Sequence, residues 1–572
     1  MLLSILAMRH KILIGCVVFI VLISLQLHIG NAGGSGKNLP QVFIGWGILC
    51  LFALGILWRT RRTSMVVTPI SVVIFAATLI LWIPLLFTRD EWRLEALWPL
   101  LGLSAGIVFY FSMLQVKWSP ALLQRLMLFI IAASLLQTLV VLWQYFLPGT
   151  LPGWLAYPYD KDRPAGVFQQ VNLLASFTAT GLISALLLFV TRRKGRLRDS
   201  GYIYLYILSA ALVLLPFLLV ILQSRIGWVG SGFAIFPVLL FAMYKEPRRI
   251  TAPASLMLCG ILLGIACIWG DVSAQISHEG SNHARIIMLR ETLSMIFSRP
   301  WLGWGYGGYE YSFQHFRLWQ GESTLGLGVV THPHNEYLYR WVEGGFLGLV
   351  GVLLFTLCGV GLAWLTCQRI KRTSTLTVSL RLASPGLCLL PLTLHTQTEY
   401  PFYISSLLWG TFLLFLAAWD SLATPKYLLL KLSVLRGGAI RGALSSIMFA
   451  ALLFTVSGGY SGWLLWRFEQ QQFRGPHPDW QVNPWLLSER ARFDEQTASL
   501  LAFNHDGDKQ RLEYYVLWAR NYSGIHIDRE VYARLLQILR AQKLSVASDY
   551  WGKEAHALFP DDPRFQFYSG ER

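Results

Sequence analysis

Apolar runs of about twenty residues recur along most of this chain, and in a bilayer a run of that length closes all its backbone hydrogen bonds only as a helix. Such runs lie near 11–30, 40–58, 65–87, 97–114, 120–147, 172–191, 202–222, 228–244 and 252–270. Four more lie near 345–366, 383–398, 403–419 and 443–466. Composition agrees: 54% of the 572 residues are hydrophobic and only 14% are charged, against about a quarter charged in soluble globular chains. The pattern predicts an all-α polytopic membrane protein with about 13 transmembrane helices. The first run follows Arg9 and Lys11 with no small-residue cleavage site behind it, so it is read as an uncleaved span and not a signal peptide.

Lysine and arginine resist translocation, which orients the helices. Basic clusters follow the second, sixth, eighth, tenth and twelfth spans: Arg59/Arg61/Arg62, Arg192 to Arg198, Lys245/Arg248/Arg249, Arg369/Lys371/Arg372 and Lys426 to Arg441. The loops between them carry far fewer basic residues. The alternation predicts a cytoplasmic N-terminus, with residues 271–344 and 467–572 outside. Four regions follow: spans 1 to 9 in 1–270, a large periplasmic loop in 271–344, spans 10 to 13 in 345–466, and a helical periplasmic C-terminal domain in 467–572. The net charge of +17 is therefore topological. Nucleic-acid binding would require a basic face on a folded domain, and that class is set aside. The seven cysteines fall in or beside the apolar runs without a CxxC pair, as small packing residues do.

In the loop, Ser281 to Phe297 carries apolar residues at helical spacing, which predicts an amphipathic helix. Gly303-Trp-Gly-Tyr-Gly-Gly matches GxGxxG literally, but a dinucleotide site needs a strand before it and a helix after it. A tight glycine-rich turn is the better reading. His332-Pro-His334-Asn335-Glu336 offers metal-ligand types without a third histidine at a familiar spacing, so no metal site is assigned. Placed just before a span, a neutral imidazole there can take a proton from a hydroxyl. The plainer alternative is a histidine pair that caps the next helix. Arg163, Arg225 and Arg285 lie at predicted outer ends of spans or in the loop, where a guanidinium binds phosphate oxygens and stays charged. Interfacial snorkelling is the alternative for each taken singly. Gln170 and Asn172 open the sixth span, and Glu399-Tyr400-Pro joins the eleventh to the twelfth. The tail alternates apolar and polar residues as helices do, and is expected to bind a partner or brace the loop.

These residues together resemble the O-antigen ligase and polymerase superfamily, specifically its protein O-oligosaccharyltransferase branch. The matching stretches are Gly166-Val-Phe-Gln-Gln-Val-Asn172, Ser224-Arg225, Arg285, Pro300 to Gly307, His334-Asn335-Glu-Tyr-Leu, Glu343-Gly-Gly-Phe-Leu-Gly and Glu399-Tyr400-Pro. The resemblance covers about 160–420. It implies a multi-pass enzyme of the bacterial inner membrane whose active site faces the periplasm. Such an enzyme moves a preassembled glycan en bloc from undecaprenyl pyrophosphate to serine or threonine hydroxyls of a pilin-like protein. By motif, His334 resembles the essential histidine, Arg225 and Arg285 the pyrophosphate-binding arginines, and Gln170 and Tyr400 the branch's functional polar residues. Asn172, Arg163, His332, Asn335 and Glu399 join them as expected substrate-binding residues. No cofactor is required on this reading, though it leaves room for a divalent metal. Transfer to lipid A–core, as by an O-antigen ligase, is the nearest alternative, and a glycan transporter without chemistry is another.

Overall fold

In the computed structural model, residues 36–152, 164–192, 199–270, 279–475, 477–478, 483 and 485–568 are described. The first predicted span and Arg163 lie outside them. Among the described residues twelve helices are long and apolar enough to cross a membrane. They include α1 (Pro40–Arg59), α2 (Pro69–Trp82), α3 (Asp90–Leu114), α4 (Pro120–Phe146), α5 (Val171–Val190), α6 (Asp199–Ile221), α7 (Arg225–Lys245) and α8 (Thr251–Trp269). After α9 (Glu279–Ser298) and α10 (Tyr309–Trp319) come α11 (Glu336–Ile370), α12 (Leu376–His395), α13 (Ser406–Ala423) and α14 (Val434–Gln470). The tail folds as α15 (Ser488–Asp506), α16 (Lys509–Ser523), α17 (Arg529–Ala541) and α18 (Ser545–Leu558). The chain is an all-α, multi-pass membrane protein.

Two local departures from the predicted spans have simple causes. Residues 65–67, placed at the start of a span, form strand β1 (Met65–Val67), antiparallel to β2 (Leu430–Leu432). Gln115 closes the free edge of β1, its amide bonding both the Val66 N–H and C=O at 2.9 Å. Residues 403–419 divide into a single turn at Pro401–Ile404 and α13, whose Ser405 side chain accepts from Leu408 N.

The chain forms two compact units: 1–75, 104–276 and 355–459 in one, and 76–103, 277–354 and 460–572 in the other.

The first unit is built around α5. Its sequence is apolar all the way round, and a helix without a polar face has to be enclosed. Every residue of α5 except Asn172 is buried, and α4, α6, α7 and α12 pack on it. Small residues set how closely they approach, since in lipid it is close packing that draws helices together. A Cβ on Gly181 would lie 2.3 Å from Ser134 Oγ, and one on Gly227 would lie 2.7 Å from Ala175 Cβ. The outer helices have the opposite pattern. Phe233, Phe236 and Leu240 on α7, Leu258 and Leu262 on α8, and Leu453 and Val456 on α14 are exposed at helical spacing. That is a lipid-facing surface, because lipid solvates apolar side chains that water would drive inward. At one end of this unit a buried carboxylate, Asp420, accepts from Thr68 Oγ1, Tyr110 Oη and Thr424 Oγ1, each at 2.6 Å.

The second unit holds the loop and the tail together. Met295, Trp304, Tyr309, Phe313, Phe316 and Val342 form the loop's own core. The tail helices are docked on it by hydrogen bonds: Thr324 Oγ1 donates to Leu558 O at 3.0 Å, and His315 Nε2 lies 3.3 Å from Glu554 Oε1. Trp92 Nε1 donates to Gly524 O at 3.0 Å. His526 sits between two carboxylates, with Nδ1 at 3.4 Å from Glu310 and Nε2 at 2.9 Å from Glu489. The tail therefore braces the loop, one of the two roles its sequence suggested.

Burial disfavours the charged form of His526, but the paired carboxylates outweigh it and push the pKa up to about 10 from the ordinary 6.5. A pKa raised on folding stabilises the protein fully below the unfolded value, and that contribution disappears as pH rises through the folded value. The melting temperature of the purified protein should therefore fall between about pH 6.5 and 10, and His526→Gln should flatten that dependence while lowering stability at pH 6.5. For the bundle, Gly181→Leu should lower the melting temperature sharply in a detergent unfolding assay, since overpacking a filled core costs about 1–3 kcal/mol.

Candidate active site

A sharp turn opens α5 and is held from behind. Gln137 and Gln144 on α4 are almost fully buried, and both spend their amides on the backbone of this turn. Gln144 Oε1 accepts from Gly166 N at 2.9 Å, and Gln137 Oε1 accepts from Val167 N at 3.1 Å. Gly166 has φ +58, and a Cβ there would lie 2.6 Å from Gln137 Oε1, so only glycine fits. Gln169 then takes left-handed backbone at φ 56, rare for a residue with a side chain and retained where the surroundings enforce it.

The turn delivers Gln170 and Asn172 to one carboxylate. Gln170 Nε2 donates to Glu399 Oε2 at 2.9 Å, and Asn172 Nδ2 donates to Glu399 Oε1 at 2.6 Å. Glu399 lies one helical turn beyond His395, the last residue of α12 and fully buried. His395 Nε2 is 3.1 Å from Glu399 Oε2, and its Nδ1 is 2.8 Å from Ser176 Oγ on α5. Asn172 Oδ1 in turn accepts from Ser224 Oγ at 2.7 Å, and Ser224 caps α7 by accepting from Gly227 N. The residue after that cap is Arg225, the exposed first residue of α7. Tyr400 follows Glu399, is buried, and meets Tyr403 edge-on at 5.8 Å between ring centroids.

The second unit places His334 by comparable means. The helix from Glu336 runs to a break at Gly345 (φ 60, ψ −153), backbone that is essentially glycine's alone. The glycine-rich turn docks on this break. Trp304 N donates to Val342 O at 2.8 Å, Gly305 N to Glu343 O at 3.0 Å, and Phe346 N back to Trp301 O at 3.0 Å. Among the described residues the element directly before the motif is α9, a helix and not a strand, so its glycines serve packing and not a dinucleotide. At the other end of the segment Asn335 caps α11 by accepting from Leu338 N at 3.1 Å. The cap is the asparagine, which leaves the histidine pair for other work. His334 has left-handed backbone at φ 54, and its ring stacks on that of His332 with centroids 5.1 Å apart. Thr331 Oγ1 bonds His332 Nδ1. Arg285, half-buried, sits on α9 of the same unit.

The structure thus gathers Gln170, Asn172 and Glu399 into one hydrogen-bonded cluster that leads through Ser224 to Arg225. It sets His332, His334 and Asn335 together at the start of α11, with Arg285 on a separate helix. Among the described residues no cluster of three or more metal-ligating side chains occurs. Sequence reasoning missed Ser176 and His395, which look like ordinary polar residues within apolar runs. The available signal was spacing: His395 lies four residues before Glu399 and Ser176 four after Asn172, one helical turn in each case.

Three family models match the chain. One described as O-antigen ligase covers residues 210–353, one described as virulence factor membrane-bound polymerase, C-terminal, covers 386–569, and one described as protein glycosylation ligase covers 164–189. These matches indicate the O-antigen ligase superfamily. A similar relative is an uncharacterised protein of Haemophilus influenzae, 24% identical over 273 residues, which are 44% of this chain and 62% of the relative. The O-antigen ligase match holds Arg225, Arg285 and His334, while the glycosylation ligase match holds Gln170, Asn172 and Ser176.

Loss of the Asn335 cap should cost about 1 kcal/mol. Asn335→Ala should lower the melting temperature, and Asn335→Asp, which restores a capping oxygen, should recover most of it.

Proposed function

We propose that this protein transfers a preassembled oligosaccharide en bloc from undecaprenyl pyrophosphate to serine or threonine hydroxyls of a periplasmic protein such as a pilin. The observation that carries this reading is that the stretch matching the protein glycosylation ligase model, 164–189, is the one whose Gln170, Asn172 and Ser176 join the buried Glu399–His395 cluster. An apolar cleft in the first unit adds support. Phe52, Phe109, Phe168, Leu173 and Leu414 line it, an apolar wall suited to a polyprenyl chain.

In this mechanism the acceptor oxygen attacks the anomeric carbon of the first sugar. The bond from that carbon to the pyrophosphate oxygen breaks, and the carrier leaves as undecaprenyl pyrophosphate. His334 takes the hydroxyl proton. Arg225 and Arg285 counter the charge that builds on the leaving group, and binding both substrates supplies proximity. The energy comes from the activated donor, as suits the periplasmic face of the inner membrane, where ATP is not supplied. Arginine performs the electrostatic work, so the reading invokes no cofactor.

A second reading, transfer to lipid A–core, is favoured by one observation: Arg225, Arg285 and His334 all lie in the stretch matching the O-antigen ligase model. One culture experiment separates the two. In cells that make the lipid-linked glycan, wild type, His334→Ala and Arg225→Ala are compared by intact mass of pilin and by gel analysis of lipid A–core. Each variant should lower the glycan mass on pilin by about 100-fold or more, the scale of losing a general base or a charge-stabilising donor. Unmodified pilin with core ladders lost in both variants would transfer the assignment to the ligase. Wild-type transfer by both variants would remove the mechanism.

A further inference from the structure

The buried pair behind Glu399 points to how the site presents Gln170. Glu399 receives three nitrogens on its two oxygens: Gln170 Nε2 at 2.9 Å, Asn172 Nδ2 at 2.6 Å and His395 Nε2 at 3.1 Å. An ionised carboxylate only accepts hydrogen bonds, so each of these nitrogens donates. This decides the orientation of the Gln170 amide, which is otherwise ambiguous between its oxygen and nitrogen. The nitrogen faces Glu399 and the oxygen faces away. That oxygen, Gln170 Oε1, is buried and has no hydrogen-bond partner among the described residues. Gln169, beside it in left-handed backbone, leaves its amide Nε2 in the same condition. Burying an unsatisfied polar atom is destabilising, and such atoms persist where a ligand completes them.

His395 determines whether this arrangement holds. It is fully buried at the end of α12, between Ser176 on α5 and Glu399. In the tautomer with Nε2–H directed at Glu399, Nδ1 is an acceptor and the Ser176 hydroxyl donates to it. The serine thereby selects the tautomer that donates to the carboxylate, as an orienting partner does for a histidine in other sites.

We propose that Ser176 and His395 are positioning residues that act through Glu399 to lock the Gln170 amide with its oxygen free, and that this oxygen accepts a hydrogen bond from a substrate hydroxyl. The hydroxyl belongs either to the acceptor serine or threonine or to the first sugar of the donor. The proposal rests on the transferase reading above, and it adds residues and an amide polarity that the motif matches leave open. Chemically it is a demand for a donor group: a substrate with a methyl ether or a hydrogen in place of that hydroxyl would leave Gln170 Oε1 unpaired.

The test uses the full-length protein in proteoliposomes with lipid-linked glycan and purified acceptor protein, and measures kcat and KM for each substrate with melting temperature alongside. Ser176→Ala and His395→Gln are expected to lower kcat/KM about 10-fold, a loss of ~1.4 kcal/mol in transition-state stabilisation. Ser176→Ala with Glu399→Gln should be no slower than Glu399→Gln alone, because the serine acts only through that carboxylate. Independent structural damage would instead add. Gln170→Met should raise KM for one substrate: for the acceptor if the hydroxyl is the serine or threonine, for the donor if it is the sugar's. Should His395→Gln fail to fold, Ser176→Ala decides, since it removes a single oxygen. Wild-type kcat and KM in Ser176→Ala beside an impaired Gln170→Met would overturn the positioning role and leave the transferase reading standing. Additive losses with Glu399→Gln would overturn it too. If Gln170→Met itself transfers as wild type, the hydroxyl contact falls, and if the wild-type protein glycosylates nothing, the transferase reading falls with it.

Discussion

A carboxylate enclosed among apolar helices is tolerable only when its charge is met from every side. Glu399 satisfies that requirement by collecting donors from three places in the chain: the turn before α5, the first turn of α5, and the end of α12. These contacts make the carboxylate a tie between segments more than two hundred residues apart. Through Asn172 and Ser224 the tie extends to the start of α7 and so to Arg225. The dense packing around α5 supplies the rigid frame, and the buried glutamines of α4 hold the turn that aims Gln170 into it.

A common device recurs at the candidate residues. Gln169, Gln223 and His334 each have left-handed backbone immediately before the capping position of a helix, ahead of α5, α7 and α11 respectively. Such a residue reverses the chain abruptly, so that the cap and the first helical residue face where the loop has just been. Gln170, Arg225 and His334, each given a role in the proposals above, all sit at or next to these reversals. Strain of this kind needs support, and each site has it: amides from α4 behind Gly166, the Ser224 cap on α7, and the Asn335 cap with the Gly345 break on α11.

The tail contributes by holding the loop in shape. His526 between Glu310 and Glu489, Glu554 beneath His315 and Tyr532, and Thr324 on the end of α18 tie the loop to helices far along the chain. The virulence-factor polymerase match spans most of this tail, in keeping with a segment that belongs to the membrane protein's own architecture.

Periodicity alone determined that the chain is a bundle of membrane helices, because the bilayer offers the backbone no partners and twenty apolar residues leave it no other way to be satisfied. The glycine-rich turn and the His334-Asn335 junction were likewise legible, since glycine and asparagine have few structural uses beyond turns and caps. Which polar residues of the spans matter was not legible. Ser176 and His395 are single letters in apolar runs, and nothing in their neighbours says that they meet. That was decided by tertiary structure, where α5 and α12 lie side by side and one buried carboxylate, unable to remain charged alone, gathers every donor within reach.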